Sequence, residues 1–354
     1  MSRQTWIFFL SVAIVLQACR KDPSLEPVPD GPTPYDLHIP PWAITPAQFP
    51  ILSNGPLTVE GVALGRRLFY EKALSDNHTI SCASCHVQAN AFSDPRQFSI
   101  GTDGSVGTRN SMAIVNAVWD EIFFWDGRAS SLEMQAFKPV VDQREMRNSW
   151  PVVVQRLQSD PEYPRLFEEA FGTSTIDSFL VVKAIAQFER TLLSFNSRFD
   201  RYNYHGDSLI LTPQEKRGKE LFFGEAHCDN CHNAPLFHDS ALRNIGMIGA
   251  DEDGGLANIT GLTSDRGRFK TPTLRNIAVT APYMHDGRFN TLQEVVDFYA
   301  DDVRLNDPNL DEHMFPWVMG EIDLDEQERS DLVAFLHTLT DQQFLNDPRF
   351  SDPH

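Results

Sequence analysis

The sequence predicts an all-α protein in which two related domains are connected by long loops around their functional groups. Two Cys-x-x-Cys-His motifs, one beginning at Cys82 and one at Cys228, indicate one site in each half of the chain. The segments that flank the two motifs resemble each other, and alternating strand patterns are few. The length of 354 residues is enough for two domains.

The internal repeat is clearest downstream of each motif. The segment that starts at Asn116 matches the segment that starts at Asn276 without a gap, and both contain Asp-Gly-Arg. Leu132 then corresponds to Leu292, so the offset between the halves is constant. This repeat predicts that the two domains arose by duplication.

Helical patterns complete each half. A short helix that ends in Leu-Phe or Phe-Phe precedes each motif, and the stretches 177–196 and 323–339 have the apolar spacing of helices. We therefore predict an N-terminal domain at 51–205 and a C-terminal domain at 206–354.

Composition excludes several classes of protein. The chain carries 30 basic and 49 acidic residues, a formal charge of −19, so it lacks the basic surface of a nucleic-acid binder. An acidic surface favours a cationic partner or simple solubility. Five cysteines are an odd number and too few for a disulfide scaffold of this length.

The N-terminus is typical of an exported protein. Residues 1–18 contain an apolar run at 6–16, which is shorter than the roughly 20 residues of a membrane span and predicts a signal peptide. A small residue precedes Cys19, as in the bacterial lipobox, so Cys19 is the predicted lipidation site. An ordinary secretory signal with an incidental cysteine is the alternative. The proline-rich stretch 19–50 is predicted to be an extended tether.

Cys-x-x-Cys-His is the attachment signature of c-type haem. Both thiols form thioethers with the porphyrin, and the adjacent histidine becomes the proximal iron ligand. A thioredoxin-type redox motif would require a βαβ unit, and a zinc site would require four ligands close together in space. We therefore predict two covalent haems, with the thioethers at Cys82, Cys85, Cys228 and Cys231 and the iron ligands at His86 and His232.

These features resemble the bacterial di-haem cytochrome c peroxidases and their MauG-type relatives over roughly residues 55–345. The family pattern is present as Phe124, Trp125, Asp126, Gly127, Arg128, Ala129, Gln135, Ala136, Pro139, Glu145 and Met146. The resemblance implies that the first-domain haem is the peroxide site and that the second-domain haem receives electrons. It also implies that Trp125 relays electrons between the haems and that Gln135, Pro139 and Glu145 line the peroxide pocket.

The chemistry of these residues fits those roles. Breaking the O–O bond requires a proton to move between the two peroxide oxygens, and a carboxylate in a dry pocket can carry it. Glu145 suits that task, and Gln135 can hydrogen-bond the peroxide or a water. The alternatives are a solvated helix-end acid for Glu145 and simple core packing for Trp125.

The second domain departs from the classical peroxidase pattern. There a methionine ligand follows the histidine of Tyr-x-His-x-Gly by fourteen residues, but here that position after His285 is Tyr299. Tyrosine at this place resembles the MauG type, and a phenolate ligand favours ferric iron, whereas methionine raises the potential. Met284 is the alternative ligand.

The first domain lacks an equivalent ligand. At the constant offset Tyr299 corresponds to Pro139, which has no ligating side chain. Classical members can block the peroxide site with a histidine, but no histidine occurs between His86 and His205, and Thr102 stands where it is expected. We predict that the first haem is open when both irons are ferric.

The family resemblance also implies one calcium ion between the domains. Its ligands would be the side chain of Asn110 and the backbone oxygens of Thr280 and Pro282, since calcium prefers oxygen donors. On local sequence alone these are turn residues. The acidic run 251–253, before two glycines, is interpreted as a solvated surface loop rather than a metal site.

Three functions are compatible with the sequence. The first is a peroxidase that reduces hydrogen peroxide to water with electrons from a small cytochrome c or cupredoxin. The second is a MauG-type enzyme that uses peroxide to oxidise Trp or Tyr side chains of a protein, which Tyr299 favours. The third is a plain electron carrier, which the open first haem disfavours. Haem attachment and lipidation predict the periplasmic side of a bacterial membrane, with membrane contact only through the lipid, and a homodimer is compatible with the family.

Overall fold

The computed structural model describes residues 31–44, 55–247, 253–320 and 322–354. The predicted signal peptide and Cys19 lie outside them. Strand in the described ranges is limited to one antiparallel pair, β1 (Leu242–Arg243) and β2 (Phe269–Lys270). The α-helices are α1 (Val59–Tyr70), α2 (Leu132–Val141), α3 (Trp150–Ser159), α4 (Tyr163–Phe171), α5 (Ser178–Glu189), α6 (Arg198–Tyr204), α7 (Pro213–Phe222), α8 (Ala257–Thr260), α9 (Leu292–Asp297), α10 (Phe315–Val318), α11 (Glu326–His337) and α12 (Gln342–Asn346). The prediction of a mainly helical fold is confirmed.

The predicted helices form where the sequence places their start signals. Asp177 caps α5 by accepting the N–H of Leu180 at 2.8 Å, and Asp325 caps α11 by accepting the N–H of Glu328 at 2.8 Å. Such side chains satisfy N–H groups that have no partner within the helix. α5 and α11 lie within the stretches predicted at 177–196 and 323–339.

Two close helix pairs form the centre of the halves, α1 against α5 and α7 against α11. A Cβ at Gly65 in α1 would collide with the carbonyl oxygen of Ala184, and a Cβ at Gly218 in α7 would collide with that of Asp331. Glycine is therefore required at both crossings, because any side chain would push the helices apart.

Each helix pair belongs to a separate hydrophobic core. The first core includes Leu68 and Phe188, and the second includes Phe222 and Phe335. Phe344 from the C-terminal segment packs into the first core. The assignment of domains at 51–205 and 206–354 stays a prediction.

Part of the predicted tether is packed against the helices. Ala43, in the turn Pro41–Ala43, is fully buried, and the ring of Trp42 stacks on that of Tyr204 with centroids 3.9 Å apart. The prediction of an extended tether through residue 50 is therefore wrong for residues 41–43, because Trp42 packs on α6 and Ala43 packs in a small apolar cluster with Trp119 and Phe195. No helix within the described ranges is long and apolar enough to cross a bilayer.

The backbone downstream of the two motifs follows the same course. Asn116 and Asn276 both adopt a left-handed conformation, and both start a short 3₁₀ turn. Their N–H groups donate to the carbonyls of Leu192 and Leu339, at 2.9 and 3.0 Å. The matched sequence segments thus have matched local structure.

Candidate functional site

The residues of the first motif line part of a large cavity. Cys82–Ser84 forms a 3₁₀ turn, and the N–H of His86 donates to the carbonyl of Cys82 at 2.9 Å. Cys82, Cys85 and His86 line a cavity of about 890 Å³, called the first cavity below. The turn therefore brings the two thiols and the imidazole to one surface.

The second motif repeats this arrangement. Cys228–Asn230 forms a 3₁₀ turn, and the N–H of His232 donates to the carbonyl of Cys228 at 2.9 Å. Cys228, Cys231 and His232 line a cavity of about 190 Å³, called the second cavity below.

Both motif histidines are held in the tautomer that an iron ligand needs. Nδ1 of His86 lies 2.7 Å from the carbonyl oxygen of Phe92, and Nδ1 of His232 lies 3.0 Å from that of Phe237. A carbonyl can only accept, so Nδ1 carries the proton and Nε2 keeps its lone pair. Burial lowers the pKa of His86 and lowers that of His232 to about 4, so both rings are neutral.

The thiols fit haem attachment better than the alternatives. Burial raises the pKa of Cys228 to about 12, whereas a redox or zinc-binding cysteine needs a lowered pKa. No group of three or more His, Cys, Asp or Glu side chains that could hold a metal ion occurs in the part of the chain that the structure describes. The residues present therefore suit two c-type haems, one at each cavity.

The structure brings the three predicted peroxide-pocket residues together. Gln135, Pro139 and Glu145 all line the first cavity, Gln135 and Pro139 from α2 and Glu145 from the loop after it. Burial raises the pKa of Glu145 to about 7, with a further contribution from Asp142, while Arg128 acts in the opposite direction. Their roles in peroxide chemistry stay predictions.

Trp125 lines more than one cavity. It lines the second cavity and also a smaller cavity of about 150 Å³ that contains His86 and Glu145. Its indole N–H donates to the carbonyl of Asn110 at 2.9 Å, which fixes the ring. The ring centroid lies 6.4 Å from that of His285, in an edge-on arrangement. This position is compatible with the predicted relay.

Tyr299 lines the second cavity from an irregular helix turn. α9 continues into a π-helical segment, Phe298–Asp302, and such segments are common at functional sites. Desolvation raises the pKa of Tyr299 above its ordinary value. The alternative ligand Met284 lines the same cavity, as do Met247 and Met314, which no sequence motif singles out. The assignment of Tyr299 as ligand stays a prediction.

The three predicted calcium ligands line one small cavity. Asn110, Thr280 and Pro282 surround about 70 Å³ beside Trp125. The side-chain N–H₂ of Asn110 donates to the carbonyl of Arg96 at 3.0 Å. The donor set of one amide and backbone carbonyls has the chemistry that calcium prefers.

Charged residues that sequence reasoning missed surround these cavities. Asp120 lies in the calcium-predicted cavity and pairs with Lys270 at 2.8 Å and with His238 at 3.5 Å. Glu189, at the end of α5, lines the first cavity. It is the one acidic residue of α5, and this was the sequence signal available. The partners of Asp120 lie too far along the chain to be found from a local pattern.

An ion-pair network lies at the rim of the first cavity. Arg109 donates to Asp126 at 2.6 Å and to Asp253 at 2.6 and 2.8 Å. Within the acidic run, Asp253 is ion-paired and its side chain is 25% exposed, whereas residues 251 and 252 lie outside the described ranges. The interpretation of the run as a solvated surface loop stays a prediction. Arg128 also pairs with Asp126, at 2.9 Å, so the two arginines and the two aspartates balance in charge.

Thr102 packs beside the acid of the first cavity. Its N–H donates to the carbonyl of Glu145 at 3.0 Å, and its buried hydroxyl has no hydrogen-bond partner. The loop that holds a blocking histidine in classical peroxidases thus contacts the Glu145 segment here without a ligating side chain.

The comparisons with known proteins identify one family. Residues 59–208 match the family model described as di-haem cytochrome c peroxidase. The methylamine utilization protein MauG of Methylorubrum extorquens is 39% identical over 83% of this chain and 82% of its own. The cytochrome c551 peroxidase of Nitrosomonas europaea is 34% identical over 83% of this chain and 84% of its own.

A solved structure has a fold similar to that of this chain. The crystal structure of a MauG-like protein associated with microbial copper homeostasis superposes with a TM-score of 0.81 at 36% identity, covering 90% of this chain and 99% of that one.

Proposed function

Because the chain belongs to the di-haem cytochrome c peroxidase family, we propose that it reduces hydrogen peroxide to water at the first haem with electrons from a small donor. The donor is a cytochrome c or a cupredoxin, and electrons reach the first haem from the second through Trp125. The acidic surface favours a basic donor. The observation that carries the proposal is the clustering of Gln135, Pro139 and Glu145 in the first cavity.

In this proposal the haem supplies the iron that binds peroxide and stores oxidising equivalents. Glu145 accepts a proton from one peroxide oxygen and returns it to the other, so that the first water leaves. Gln135 orients the peroxide through a hydrogen bond. Pro139 has no side chain that could ligate a haem bound at the first cavity, whereas Tyr299 would supply an oxygen ligand to a haem bound at the second.

A stopped-flow assay tests the peroxidase proposal. The holoenzyme is mixed with peroxide and a pre-reduced cytochrome c, and oxidation of the cytochrome is followed optically. Fast, peroxide-dependent turnover is expected. A protein whose spectrum does not change with peroxide would be an electron carrier instead.

MauG-type oxidation of a protein side chain is the second candidate. It is favoured by Tyr299 in the second cavity and by the similarity to MauG. In the same assay it predicts negligible oxidation of the cytochrome together with long-lived, peroxide-induced spectral changes.

The two halves are proposed to be duplicated haem domains. The isolated bridge between Phe123 and Ala129 corresponds at the constant offset to that between Tyr283 and Phe289. The paired asparagine turns and the paired glycine crossings support the same origin.

Calcium is proposed to bind at Asn110, Thr280 and Pro282. Chelation is expected to change the absorption spectra of the haems and the peroxidase rate, and added calcium to restore both. Unchanged spectra and rate after complete removal of calcium would contradict the assignment.

We propose that the protein is held on the periplasmic side of a bacterial membrane by lipid at Cys19. A Cys19→Ser variant is expected to move from the membrane fraction to the soluble periplasmic fraction. Mass spectrometry of the mature N-terminus checks the lipid, and light scattering checks for the homodimer that the family permits.

A further inference from the structure

Glu189 is a second buried acid in the first cavity. It is the last residue of α5, and only 3% of its surface is exposed. It lines the first cavity together with Glu145, and both also line the smaller cavity that contains Gln135 and Trp125. Its Oε2 atom is buried and has no hydrogen-bond partner. A buried polar atom without a partner is costly unless a ligand or water meets it.

Arg190, the next residue in the chain, is not the hydrogen-bonded counterion of Glu189. Both terminal nitrogens of Arg190 donate to the carboxylate of Glu133, at 2.7 and 3.1 Å, and this pair is itself buried. Glu133 therefore already neutralises Arg190. A structural counterion at Glu189 would be expected to share those hydrogen bonds.

The surroundings of Glu189 favour its neutral, protonated form. Burial raises its pKa to about 8, with Arg190 acting in the opposite direction and Glu133 adding to the rise. The other charged or titratable residues that line the smaller cavity with Glu189 and Glu145 are His86, Arg109, Asp120, Arg128 and Lys270. Cys82 lines the first cavity with Glu189, and a thioether would leave it without a titratable thiol. A neutral carboxylic acid in a dry cavity is a proton donor at physiological pH.

The proposed peroxide chemistry needs such a donor. Glu145 moves one of the peroxide's own protons between its two oxygens, so the first water draws on no external proton. The remaining oxygen atom leaves as the second water only after it receives two electrons and two protons. The electrons come from the reduced cytochrome, so the balance is H₂O₂ + 2e⁻ + 2H⁺ → 2H₂O.

We propose that Glu189 delivers these protons to the oxygen atom held in the first cavity and is reprotonated from water between deliveries. The proposal rests on the proposed function, and it assigns the two acids different tasks. Glu145 acts from its ionised form and Glu189 from its neutral form.

The test compares the Glu189→Gln holoenzyme with wild type. Glutamine keeps the size and hydrogen-bonding capacity of the side chain but carries no transferable proton. We expect kcat to fall about 100-fold, the lower end for loss of a general acid. We also expect the decline of kcat above about pH 8 to disappear, since it reflects ionisation of Glu189, which acts after the first water has left. Glu189→Asp is expected to recover part of the rate.

Infrared titration gives a readout that does not depend on turnover. The carbonyl stretch of a protonated carboxylic acid that titrates near pH 8 is expected in wild type and absent from Glu189→Gln. Exposed Glu168→Gln is the matched control and is expected to leave the rate, pH profile and infrared band unchanged. Haem spectra and thermal unfolding verify that each variant is folded.

The outcomes separate the two proposals. Wild type without peroxide turnover overturns the proposed function. Active wild type combined with Glu189→Gln of unchanged rate and pH profile overturns the role of Glu189. A variant with a lowered melting temperature and a slower rate but the wild-type pH profile also overturns it, because that result indicates a structural acid.

Discussion

The first and second cavities share a backbone framework but differ in the side chains that fill it. The helix after Asp-Gly-Arg is regular in the first half and contains Pro139, whereas in the second half it changes to a π-helical turn that carries Tyr299. The first cavity measures about 890 Å³ and contains Glu145 and Glu189. The second measures about 190 Å³ and is lined mainly by apolar, aromatic and methionine side chains.

In the proposed function, this difference separates two kinds of chemistry. Buried acids with raised pKa values suit the proton transfer that the proposed peroxide reduction requires. A cavity lined mainly by apolar, aromatic and methionine side chains suits electron transfer, since little has to reorganise when the iron changes its charge. Trp125 lines the second cavity and the smaller cavity that contains Glu145 and Glu189, a position compatible with the proposed relay.

The largest effect is expected from removing the proton carrier of the first cavity. Glu145→Gln should lower kcat/KM for peroxide about 10²- to 10⁴-fold, the range for loss of a general acid or base. Because Glu145 accepts a proton from its ionised form, wild-type activity should fall as the pH drops below about 7, and this limb should vanish in the variant. If the loss of activity below about pH 7 persists in a folded variant, a group other than Glu145 causes it.

The buried ion pairs of the two halves should contribute comparably to stability. Arg275 donates to Asp200 at 2.9 Å in the second half, and Arg190 pairs with Glu133 in the first. Removing one partner of such a pair costs about 3–5 kcal/mol, since it leaves a buried charge. Arg275→Met should lower the free energy of unfolding by this amount in denaturant titrations. A loss below about 1 kcal/mol, typical of a surface pair, would contradict it.

Breaking the connection between the cavities should have an intermediate effect. Trp125→Phe removes the oxidisable indole and its hydrogen bond to Asn110. Turnover with reduced cytochrome c should slow about tenfold, a barrier increase of about 1.4 kcal/mol, while the single-turnover reaction with peroxide stays fast. Equal slowing of both steps would indicate a packing role.

Replacing Tyr299 by the methionine of the classical peroxidases should change the reduction potential of the second haem more than the rate of turnover. Tyr299→Met is expected to raise the reduction potential of the second haem, on the order of 0.1 V, because thioether ligation favours ferrous iron. Potentiometric titration followed by absorption measures this. Met284→Leu is the matched control and should leave the potential unchanged. The reverse result would make Met284 the ligand.

Local patterns are sufficient for much of the fold. The cysteine motifs, the caps at Asp177 and Asp325 and the apolar spacing of α5 and α11 are properties of contiguous sequence. The constant offset of the repeat is enough to align Pro139 with Tyr299. The family resemblance, and not the composition, identified Gln135 and Glu145.

Contacts between residues that are distant in the sequence could not be predicted from local patterns. The pairing of Arg109 with Asp253 joins residues 144 positions apart. Glu189 and Glu145 line the same cavity because of the way α5 packs against α2. No sequence pattern specifies that packing. Trp42 lies in a proline-rich stretch that predicts an extended chain, yet it stacks on a tyrosine of α6.

The contrast between an open first haem and a ligated second haem is tested most directly by the EPR spectrum of the fully oxidised resting protein. The account predicts one high-spin ferric signal from the haem at His86 and one low-spin signal from the haem at His232. The high-spin signal should be lost in a Cys82→Ala, Cys85→Ala variant, which cannot attach the first haem. A resting spectrum that contains only low-spin haem would contradict the account.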